Sequence, residues 1–80
     1  MDKEEMTAKM MDFLDAKTAS EKIRIFEDMR EADEHVLANI AVSLDVIITD
    51  DAEENYNRIM SELKLRKRFE VNADRLSGLR

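Results

Sequence analysis

The chain has 80 residues, 44% apolar and 40% charged, with nineteen acids against thirteen bases for a net charge of −6. That leaves room for one small core under a heavily charged surface and for no second domain. There is no cysteine, tryptophan or proline and only one glycine, Gly78, which excludes a disulfide scaffold, a cysteine-ligated zinc site and thiol chemistry, and disfavours turn-rich β architectures.

With so few breakers, helix boundaries rest on caps. Asp2 followed by Glu5 reads as a capping box, the carboxylate accepting from an orphan amide while the glutamate reaches back. The helix it opens runs to about Ala16 and carries Met6, Met10, Phe13 and Leu14 on one stripe. Thr18 with Glu21 is a second box, opening a helix with Ile23, Ile25, Phe26 and Met29 on its apolar face and weakening near Ala32. Asp33 is the expected cap of helix three, the alternative being one bent helix through both. Val36 to Ile48 then predicts the central buried helix, with Val36, Leu37, Ile40, Ala41, Leu44, Ile47 and Ile48 on a wide stripe and Val42 and Val46 outside it. The β-branched run in VSLDVIIT also suits a strand. No second strand is available to pair with it, so helix is the expectation.

Asp51 and Glu54 form a third box, and helix four presents Tyr56, Ile59, Met60 and Leu63 inward. After Leu63 the register changes. Leu65, Phe69, Ala73 and Leu76 form a second stripe, well round the helix from the first at ~100° per residue. Either the chain bends near Leu65 or the second stripe faces something else; Ser77-Gly78 supplies the C-terminal stop. The fold expectation is therefore all-α: a small bundle of three to four antiparallel helices. It occupies a single helical domain over 1–80, with 64–80 as a basic C-terminal extension of the last helix.

Charge is unevenly spread. Residues 1–57 carry six bases and sixteen acids, a net −10, whereas residues 58–80 carry seven bases and three acids, a net +4. Three readings follow for the basic end. Its cations can simply complement the helix dipole and solvate an exposed face. They can meet the acidic body of another copy or of an acidic partner protein. Or Lys64, Arg66, Lys67, Arg68 and Arg75 can neutralise phosphates of a nucleic acid, although one aromatic, Phe69, makes no stacking platform.

The inventory for chemistry is thin. His35 is the only histidine, and Ser20, Ser43, Ser61 and Ser77 lack the glycine-flanked turn that would expose a nucleophile. Glu31, His35 and Asn39 share a spacing of four, but a di-iron bundle needs Glu-x-x-His on two helices. The acidic run Asp45 to Tyr56 fails as a calcium loop: Ile47 and Thr49 stand where acids belong and Tyr56 replaces the bidentate glutamate. Paired carboxylates such as Glu4-Glu5 and Glu53-Glu54 suit helix starts. Met6, Met10 and Met11 read as core filler, with a partner-helix surface as the lesser option.

Enzyme activity is thus the least expected class, with no cofactor and no metal. The expectation is a non-enzymatic helical interaction module, an adaptor or regulator. It self-associates through Leu65, Phe69 and Leu76 with a rim of Lys64, Arg66, Lys67 and Arg68. The alternatives are a nucleic-acid-associated regulator using the basic helix, and a small acidic inhibitor that fills a basic groove through Asp50, Asp51, Glu53 and Glu54. The charged start MDKEEMTAKMM lacks the apolar region of a secretory signal, and no stretch suits a membrane span, so a cytoplasmic setting is expected.

Overall fold

All four N-terminal caps read from the sequence are formed. The computed structural model describes residues 2–77, with side chains as far as 73. In it α1 spans Lys3–Asp15, α2 Ala19–Glu27, α3 Glu34–Ser43 and α4 Ala52–Ser77. Asp2 Oδ1 accepts the Glu5 N–H at 2.8 Å, Thr18 Oγ1 that of Glu21 at 3.2 Å, and Asp33 Oδ1 that of Val36 at 3.0 Å. Asp51 Oδ1 takes two, from Glu53 at 3.0 Å and Glu54 at 3.2 Å. The described residues form four helices and no strand. The expected stop at Gly78 lies outside them.

α2 and α3 each pack against both α1 and α4, while α1 and α4 do not meet among the described residues. Phe13, Phe26, Met29, Ile40, Ile59 and Leu63 are fully enclosed. Three helices contribute one aromatic each to a column through this core. The Phe13 and Phe26 rings lie 5.9 Å apart and tilted, and Phe26 stacks on Tyr56 at 4.5 Å, both within the range where aromatic pairs add to burial. The Tyr56 hydroxyl donates to the Phe26 carbonyl at 3.3 Å, so its polar end is satisfied inside the core. Leu14, expected on the buried stripe, is 38% exposed, because α1 buries only the narrow seam through Met6 and Phe13.

α2 and α3 are separate helices. α2 ends at Glu27, and residues 28–32 form a turn in which the Met29 N–H donates to Phe26 O and the Ala32 N–H to Met29 O. Met29 and Ala32 are buried there, so the apolar face continues across the turn although the helix does not.

The expected helix from Val36 to Ile48 is cut short. α3 ends at Ser43, with Leu44 as its C-cap. The Val46 N–H reaches back to Ala41 O at 2.9 Å and the Asp45 N–H to Val42 O at 3.2 Å, the paired bonds of a Schellman motif. Asp45 takes the left-handed position at φ 57° that glycine usually occupies. This turn rotates everything after it. Val46, expected outside the stripe, packs against the core, while Ile47 is 81% exposed and Ile48 is also exposed. The β-branched residues Val46 to Thr49, poor helix continuers, favour the exit at this point.

The 45–51 connection is held by a buried amide. Asn55, 3% exposed, accepts the Thr49 N–H at 2.8 Å and the Thr49 hydroxyl at 3.2 Å, and its Nδ2 donates to Thr49 O at 2.7 Å. Every polar group on the side chain is used, so its burial carries no desolvation debt.

Two stability outcomes follow. Asp45→Gly removes the strain of a left-handed aspartate and should raise the urea unfolding free energy by about 0.5–1 kcal/mol; unchanged stability would show that the turn is relaxed with aspartate. Asn55→Ala strands the Thr49 backbone groups and should cost about 2 kcal/mol; a cost within a few tenths would mean that water replaces the amide without loss.

Candidate interaction surface on the last helix

Among the described side chains Leu63 is the last buried residue of α4, and every residue from Lys64 to Ala73 is exposed. The length of α2 accounts for the part from Glu70 onward, while Leu65 and Phe69, before that point, face away from the core. Tyr56 bonds to Phe26 near the end of α2, and Glu70 bonds to Ala19 at its start, so the two helices run antiparallel. α2 has nine residues and α4 twenty-six. Opposite Glu70, α2 has come to its first residue, and no more of it remains to cover α4.

Glu70 itself acts as a cap supplied from another helix. Both carboxylate oxygens accept the Ala19 N–H, at 2.9 and 3.0 Å. The amide is one of the four that α2 cannot satisfy internally, and the negative charge faces the positive end of that helix.

The basic residues divide into two sets. Arg66 is directed inward: Nη2 donates to the Leu44 carbonyl at 3.1 Å, at the end of α3, and Nε donates to Glu62 at 3.1 Å. Arg58 repeats the pattern one step earlier, bonding Ile47 O at 3.1 Å and Glu54 at 2.7 Å. Lys64, Lys67 and Arg68 are exposed and make no ion pair among the described residues. Lys22, on α2, donates to Phe13 O at 2.8 Å and lies 4.7 Å from that ring's centroid. Burial, and then the nearby Arg66 charge, hold its pKa below the ordinary lysine value, with Asp15 opposing.

Leu65 is 45% and Phe69 66% exposed. Four apart, they share the outward face of α4, away from Ile59 and Leu63. The side chains of Leu76 and Arg75 lie outside the described ones. Val71 is a further exposed apolar residue; it sits off the Leu65–Phe69 stripe, so periodicity does not single it out. Beside Leu65 a shallow groove of about 620 Å³ opens between α4 and the 45–47 connection, bordered by Asp45, Val46, Ile47, Arg58 and Glu62. Sequence periodicity misses this feature, because it places Ile47 in the core.

Elsewhere, His35, Glu31 and Asn39 are all exposed, and no three His, Cys, Asp or Glu among the described residues stand together as metal ligands would. Asp51, Glu53 and Glu54 belong to the first turn of α4 and its cap. No helix among the described residues is long and apolar enough to cross a membrane. Comparison with protein-family models, curated proteins and solved structures finds no match to this chain.

Glu70→Ala should lower the unfolding free energy by about 1 kcal/mol, the usual worth of an N-terminal cap, with Glu70→Gln intermediate because it keeps one acceptor. Equal stability of all three proteins in urea titrations would show that the cap contributes nothing.

Proposed function

We propose that this chain is a non-enzymatic helical interaction module that pairs with a second copy of itself through the outward stripe of α4. The observation that carries the reading is the exposure of every residue from Lys64 to Ala73, Leu65 and Phe69 among them, in a helix whose inward face is buried from Asn55 to Leu63. A chain of this size buries only about 60% of the surface its unfolded form exposes, so covering that stripe with a second copy adds apolar burial that one copy lacks. Lys64, Lys67 and Arg68 flank the stripe as the rim that sets partner choice and association rate. The acidic body, net −10 over residues 1–57, is the complementary surface that a second copy brings. The setting in this reading is cytoplasmic.

A nucleic-acid role fits the same helix less well. Arg66 is occupied with the Leu44 carbonyl and Glu62, and Phe69 has no exposed aromatic beside it for stacking.

Light scattering coupled to size exclusion should give twice the 9.3 kDa chain mass at micromolar concentration. Leu65→Asp combined with Phe69→Asp should return it to one chain with helical content unchanged, since both residues are exposed in the single copy. A wild-type chain that stays monomeric at the highest soluble concentration overturns the proposal.

A further inference from the structure

We infer that the two copies pair antiparallel about a two-fold axis at Leu65, with Phe69 of each seated in the groove between α4 and the 45–47 connection of the other. This rests on the self-association proposed above and specifies its geometry. At ~100° per residue, Glu54, Arg58, Ser61, Leu65, Phe69 and Asn72 all fall within ~40° of Leu65 on the outward face. The N-terminal half of this seam is polar and lies beside the groove; the C-terminal half supplies the apolar residues.

Charge decides the direction. With Arg66 counted beside the Glu62 it pairs with, residues 64–73 hold Lys64, Lys67 and Arg68 against Glu70, a net +2, while Asp45, Glu54 and Glu62 against Arg58 and Arg66 give the groove a net −1. Parallel helices would set each basic segment beside the basic segment of the other copy, a juxtaposition of like charges that disfavours association. Antiparallel helices set each basic segment beside the other copy's groove. With Leu65 against Leu65 at the axis, Phe69 comes level with Ser61 of the second copy, a small residue that leaves room for a ring. From the side of the seam on which Phe69 lies, the ring reaches Arg58, Glu62 and Ile47 of that copy. Ile47, 81% exposed because the turn at Asp45 throws it outward, then gains an apolar cover. The contact is self-complementary, as a closed two-fold interface requires.

The absence of cysteine lets single thiols report the pairing without background. Under air oxidation with copper phenanthroline, Leu65→Cys should form a disulfide-linked dimer and Phe69→Cys should not, while Phe69→Cys combined with Ser61→Cys should. Phe69→Cys linking as completely as Leu65→Cys overturns the antiparallel order and leaves self-association standing. A wild-type dimer in which none of the three variants links overturns it equally. Ile47→Lys, at a site too exposed to disturb folding, should weaken the dimer about tenfold or more; an unchanged dissociation constant overturns the seating of Phe69. A monomeric wild type would instead remove the self-association reading itself.

Discussion

Short helices expose backbone groups at their ends, and meeting those groups is the constraint around which this structure is organised. Three of the four helices have thirteen residues or fewer, so a large share of their amides and carbonyls has no partner within the helix. The long α4 supplies many of the missing partners. Glu70 takes the first amide of α2, Tyr56 bonds the Phe26 carbonyl near its end, and Arg66 bonds the Leu44 carbonyl that closes α3. Arg58 and Asn55 then hold the connection beyond, at Ile47 and Thr49. Lys22 performs the same service for α1 from α2, at Phe13 O. α4 thus serves the ends of both α2 and α3, and a change there acts on two neighbours at once.

That role also explains why α4 has surface to spare. Its inward face is committed from Asn55 to Leu63, and the Glu70 cap marks the point where α2 runs out. Beyond that point the helix continues without a neighbour among the described residues. Leu65 and Phe69 come before that point and are exposed for a different reason, since they lie on the face of α4 turned away from Ile59 and Leu63. A surface of this kind, apolar along its seam and basic at its edges, has the composition that suits a partner helix.

The net charge of −6 conceals two different uses of cations. Arg58 and Arg66 place forked guanidinium groups where one arm reaches a carboxylate four residues back and the other a carbonyl outside the helix, a task suited to a planar donor set. Lys64, Lys67 and Arg68 have no such engagement among the described residues. Counting them together as one basic rim overstates what is free for a partner, since Arg66 already serves α3.

The caps and core of this protein were legible in the sequence. Asp2, Thr18, Asp33 and Asp51 announce helix starts because capping depends on a side chain and an amide three residues on, a local matter. Phe13, Phe26, Ile40, Ile59 and Leu63 follow from helical period alone. The stripe at Leu65 and Phe69 was also visible, as a change of register. What the sequence did not disclose depends on residues far apart in the chain or on a backbone choice. The exit from α3 at Asp45 needs a left-handed non-glycine residue, which carries no compositional mark; it moved Ile47 and Ile48 from the expected core to the surface and Val46 the other way. The Glu70 cap spans fifty-one positions and the Arg66 bond twenty-two, distances over which no periodicity speaks. Local hydrogen bonding and hydrophobic period set which segments are helices and which faces are buried; only the packing of α2 and α3 on α4 decided which cations, and how much of the last helix, were left facing out.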